Sequence, residues 1–123
     1  MSRKAMKSAY HLLPWMSART DNVEKRFCQI GDSLLFSKAY MNLTAGAMHL
    51  YICMAMESRG KRQFELPASK AVKYGFAKRT FWNYVSELET AGFIKRQSGR
   101  FTRENNLYEF CSDWKNTSVS VGR

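Results

Sequence analysis

The stretch AKRTFWNYVSELETAGFIKR, Ala77 to Arg96, decides how this chain is read. Phe81, Val85 and Leu88 recur at the spacing of one helical face, so Lys78 to Ala91 is expected to be an amphipathic helix. Gly92 stops it, and FIKRQ follows as a strand. On a wheel of about 100° per residue, Val85 and Leu88 fall beside Phe81 and define the buried stripe. Arg79, Asn83, Ser86 and Thr90 fall opposite, with Lys78 and Trp82 on the flanks. A helix that packs on one side carries cations, an amide and an aromatic on the other.

Working upstream, FAKR makes the turn into this helix, and ASKAVKYG is a brief helix ended by Gly75. KRQFELP is a short strand broken by Pro67. Thr44 is the N-cap of a helix that runs through AGAMHLYICMAMES and stops near Gly60. Ala47, Leu50, Tyr51 and Met54 form one apolar face of that helix; Met48, Ile52 and Met56 form a second. The second face is either overlain by the N-terminal arm or forms a dimer seam, since Met-rich surfaces serve both purposes. DSLLFSKAYMNL is ambiguous between a strand at Leu34 to Phe36 and a helical turn after Ser37. Residues 1–32 hold no sustained period and read as an arm with room for one short helix, whose Leu12, Leu13 and Trp15 dock on the domain or on a partner. Downstream, SGRFTRENN is a loop, LYEFCS returns as a strand, and the polar residues 115–123 form a flexible tail.

With 123 residues, 45% apolar and 14% aromatic, the chain fits one domain with a modest core. The formal charge of +10 is high for that size and is the footprint of a nucleic-acid or acidic partner. Between Arg59 and Arg103 eleven cations stand against Glu65, Glu87 and Glu89, a net of +8, so most of the excess lies around the Lys78 helix. No apolar run approaches the ~20 residues of a spanning helix, and MSRKAMKSAYHLLPWM makes a poor signal peptide. The three cysteines, Cys28, Cys53 and Cys111, lack CxxC spacing, which is expected of free thiols in a cytoplasmic protein. With only His11 and His49 beside them, no metal site is expected. No Gly-rich phosphate loop, nucleophile elbow or paired-His motif is present, so neither an enzyme nor a cofactor is expected.

YGFAKRTFWNYVSELETAGFIKR resembles the turn, second helix and first wing strand of bacterial winged-helix DNA-binding proteins. A small residue and a cation pair open that helix in the family, and Leu-x-x-x-Gly-Phe-Ile closes it. FSKAYMNLTAGAMHLYICM, with LYEFCSDW, is similar to the N-terminal domains of plasmid replication initiators and phage replisome organisers of Gram-positive mobile elements. The resemblance implies a mainly α fold with a small β-hairpin, a winged helix-turn-helix over residues 33–114, that binds double-stranded DNA. Those initiators continue into further domains, so a small stand-alone DNA binder is expected here, acting in transcription or in replication and maintenance of a mobile element.

The expected DNA contacts follow from the helix and its surroundings. Arg79, Asn83 and Ser86, near the helix start, face the bases; Arg suits guanine O6 and N7, and Asn suits adenine. Lys78 and Thr80 lie at the N-terminus, where a phosphate is favoured. Trp82 stacks, touches a thymine methyl or covers the domain edge. Lys70 and Lys73 are phosphate contacts or solubilising charges. Lys95, Arg100, Thr102 and Arg103 belong to a wing that lies on the backbone, enters a narrow minor groove, or is a plain solvated hairpin. A two-fold dimer is expected, with Met48, Ile52, Met56, Leu12, Leu13 and Trp15 at its seam. The alternative function is a winged helix used for protein interaction or RNA binding.

Overall fold

A computed structural model describes residues 10–97 and 107–115. The chain is α+β, with five α-helices and a three-stranded antiparallel sheet among the described residues. Its central helix, α3 (Ala45–Ser58), follows the short helices α1 (Asp32–Phe36) and α2 (Lys38–Met41). Strand β3 (Gln63–Glu65), helix α4 (Ala68–Lys73) and helix α5 (Lys78–Ala91) come next, then strands β4 (Ile94–Arg96) and β5 (Leu107–Phe110). The last strand, β5, lies in the middle of the sheet, in the order β3-β5-β4. Ahead of all these, β1 (Tyr10–His11) pairs with β2 (Val23–Glu24) around a 3-10 turn at Pro14–Met16.

The helix α5 forms where the apolar spacing places it. Phe81, Val85 and Leu88 are fully buried and meet Ala47, Leu50 and Met54 of α3 in one core. Its end is set by local chemistry: Gly92 adopts φ 89°, its N–H donates to the Glu89 carbonyl, and the Phe93 N–H reaches back to the Leu88 carbonyl. That is a Schellman cap, with Phe93 and Leu88 buried as its apolar pair. A side chain at Gly92 is excluded twice, since a Cβ there would also lie 2.9 Å from the Trp114 backbone nitrogen.

Thr44 caps α3 through its hydroxyl, which accepts from the Ala47 N–H at 3.3 Å. The cap is completed from α5: the Glu87 carboxylate accepts from both the Thr44 N–H and its hydroxyl, each at 2.7 Å. Gly46 lets the two helices close up, because the Tyr84 ring occupies the space a Cβ would need. The helix α3 ends where Arg59 and Gly60 turn left-handed. Phe93 then gathers Tyr40, Tyr51 and Trp114 at centroid distances of 5.1–6.1 Å, joining the end of β5 to α2 and α3.

Two sequence expectations change. Leu34 to Phe36 is helical, not a strand, because Ser37 stands between two helices: its hydroxyl donates to the Leu34 carbonyl and accepts from the Tyr40 N–H. The arm holds a paired β1–β2 ladder, held by Ser17 bonding to Glu24 and by Asn22 at φ 61°. Two-residue strands are too short to leave a period in sequence. At the other end, residues 113–115 form a helical turn, with the Lys115 ammonium 5.9 Å from the Trp114 ring centre.

Candidate nucleic-acid interface

One side of α5 stands clear of the core. Lys78, Arg79, Thr80, Asn83, Ser86 and Thr90 are all exposed. Ala77 offers no side-chain cap at the helix start, and the Thr80 hydroxyl donates to the Ala77 carbonyl at 3.0 Å. The leading N–H groups of α5 therefore add their partial positive charge to that of Lys78 and Arg79.

The carboxylates of the same helix are engaged elsewhere. Glu87 is held on Thr44, and Glu89 pairs with Arg96 at 3.2 Å. Among the described residues, no carboxylate pairs with Lys73, Lys78, Arg79 or Lys95. Lys73 is exposed at the end of α4, and Lys95 is exposed on β4. Lys95 stands opposite Glu109 in the ladder, but that carboxylate is taken by Arg62 at 3.2 Å and Gln97 at 2.9 Å.

Trp82 is half-buried, tilted against Phe81 at 4.7 Å, with the Arg96 guanidinium 5.7 Å from its ring centre. Its ring covers the edge of the core beneath Arg96. Arg100, Thr102 and Arg103 lie outside the described residues.

Lys70 has a different setting from its neighbours. Its ammonium lies 3.5 Å from Glu57, which also takes Arg26 at 3.4 Å and the Tyr74 hydroxyl at 2.5 Å. Burial pushes the Glu57 carboxyl up, but the Tyr74 hydrogen bond and the Lys70 and Arg26 cations outweigh it and hold it below the ordinary value. Tyr74 is raised in turn, by burial and by donating to that carboxylate. This junction joins the arm, α3 and α4. Neither it nor the Arg96 contacts were foreseen, because their partners lie on separate elements and carry no shared motif.

The residues expected at a dimer seam are divided. Met48 is half-buried and packs on the core, while Ile52 and Met56 are half-buried on the same helix. Leu12 is half-buried in the arm, whereas Leu13 and Trp15 are 57% and 76% exposed. Among the described residues no group of three or more His, Cys, Asp or Glu side chains is placed to hold a metal, and no helix is long and apolar enough to cross a membrane. No family model, curated protein or solved structure matches the chain.

Proposed function

We propose that this chain is a winged helix-turn-helix protein that binds double-stranded DNA sequence-specifically, with α5 as the reading helix. The observation that carries the reading is the charge arrangement on α5: exposed Lys78, Arg79, Asn83 and Ser86, with both of the helix's carboxylates drawn away to Thr44 and Arg96. An outward face of cations and amides without carboxylates suits a polyanion whose bases are read by Arg and Asn. Topology supports it as well. The order helix, strand, helix, turn, helix, strand, strand, with the last strand central, is the order expected of a winged helix.

Lys73 and Lys78 are assigned to phosphates, as is Lys95 at the base of the wing, while Lys70 is assigned to the Glu57 junction. The biological role proposed with this chemistry is control of transcription, or of replication and maintenance, in a mobile element. Selection of duplexes from a random library is the test. The unmodified protein should enrich one motif, and Arg79→Ala or Asn83→Ala should relax it at a base pair, costing about 1–3 kcal/mol. Enrichment of RNA, or a motif untouched by both variants, would favour the RNA or protein-interaction reading.

A two-fold dimer is part of the proposal, since two reading helices about 34 Å apart multiply discrimination. Exposed Leu13 and Trp15 support a seam that involves the arm. Light scattering at micromolar concentration should return twice the chain mass, and Trp15→Ser should shift it toward the monomer. A monomeric unmodified protein would end the dimer reading.

A further inference from the structure

The arm, α3 and the end of β5 line an open cleft of about 800 Å³. That lies within the ~300–1,000 Å³ of small-molecule sites. Its walls are aromatic: Phe27 from the arm, Tyr51 from α3, and Phe110 and Trp114 from the chain's last described segment. Its rim is the Arg59–Arg62 turn, which contributes Arg59, Lys61 and Arg62. None of the residues lining it is acidic; Glu109 and Asp113 are near in sequence but do not line it.

The rest of the wall is uncharged. Burial raises the Cys28 and Cys111 thiols and pushes Tyr51 up to about 12, so all three stay protonated near neutrality. On the rim, Arg62 is committed to Glu109 and to the Phe110 carbonyl. Arg59 and Lys61 have no carboxylate partner among the described residues. Arg59 is held at φ 54°, a left-handed conformation that favours glycine. The cleft thus joins aromatic walls to two uncommitted cations at its mouth.

We propose that this cleft binds a small carboxylate with a two-ring aromatic body, the rings against Tyr51, Phe110 and Trp114 and the carboxylate between Arg59 and Lys61. Offset ring contacts and charge-assisted hydrogen bonds are the two interactions the walls and rim offer. The inference is independent of DNA binding by α5.

Calorimetry on the full chain with 2-naphthoate tests it. One-to-one binding with a dissociation constant below about 1 mM is expected. Amide shifts should centre on Phe27, Tyr51 and Trp114. 2-Naphthylmethylammonium, which has the same rings and the opposite charge, should bind at least about tenfold more weakly. Arg59→Gly with Lys61→Gln should lose a similar factor; the glycine relieves the left-handed backbone, so this variant stays folded. Equal binding of the amine, full binding by the double variant, displacement by equimolar acetate or by a short single-stranded oligonucleotide, or no heat at millimolar ligand would each overturn the proposal.

Discussion

Two basic regions of this molecule look alike in sequence and differ in what surrounds them. At the junction of the arm, α3 and α4, Arg26 and Lys70 converge on the largely buried Glu57 carboxylate, with Tyr74 donating to the same group. On the outer face of α5, Lys78 and Arg79 are exposed, and the helix's own acids are turned to Thr44 and Arg96. The first set of cations shares one carboxylate within the fold, and that pairing contributes to its stability. The second contributes little to stability, because no carboxylate among the described residues pairs with it, and that leaves it available to an external polyanion. A cation's role is thus decided less by its own position than by whether a carboxylate is within reach.

The largest expected effect lies at the junction. Glu57→Ala leaves two cations and a partly buried hydroxyl without their acceptor and should cost about 1–3 kcal/mol in denaturant unfolding. Arg79→Ala, by contrast, should stay within about 0.5 kcal/mol of the unmodified protein. A Glu57 variant as stable as the unmodified chain would erase the distinction between the regions.

The pH dependence sharpens it. The Glu57 carboxyl is held below its ordinary value of 4.5, so the stability it contributes is fully present above that pH. It is lost as pH falls through the lower, folded-state value. Unfolding followed from pH 6 to pH 3 should therefore show a loss that Glu57→Gln reduces. An identical acid limb in both proteins would mean that the junction contributes nothing through its charge.

How much of this could be read in advance depended on range. Helix α5 was legible from Lys78 to Ala91 because its buried stripe and its Gly92 cap are both local patterns. The cap of α3 by Thr44 was legible for the same reason, but its second half was not, since Glu87 lies 43 residues away. The Glu57 junction draws on Arg26, Lys70 and Tyr74, separate segments whose meeting is a product of packing. Trp82 was open between three roles in sequence, because its contacts with Phe81 and Arg96 come from packing. The arm's two-residue strands left no period to find, and Ser37 hid two helices in an apolar run that also suited a strand.

A smaller effect is expected from the proposed wing, in which Arg100 and Arg103 are expected phosphate contacts. Replacing both by Ala should reduce the slope of log affinity against log salt by about one unit per lost phosphate contact, with little change in sequence preference. An unchanged slope would assign the loop to solvent and leave α5 as the basic element that meets DNA.

The measurement that addresses the central claim most directly pairs one cation from each region. Arg79→Ala and Lys70→Ala remove the same charge from neighbouring helices. Each should be titrated against a selected duplex and a scrambled one, with thermal unfolding measured on the same samples. Arg79→Ala should lose about 1–3 kcal/mol of discrimination between the duplexes while its unfolding is unchanged. Lys70→Ala should unfold at lower temperature and keep the discrimination. Loss of discrimination in Lys70→Ala with full discrimination in Arg79→Ala would contradict the assignment of α5 as the reading helix.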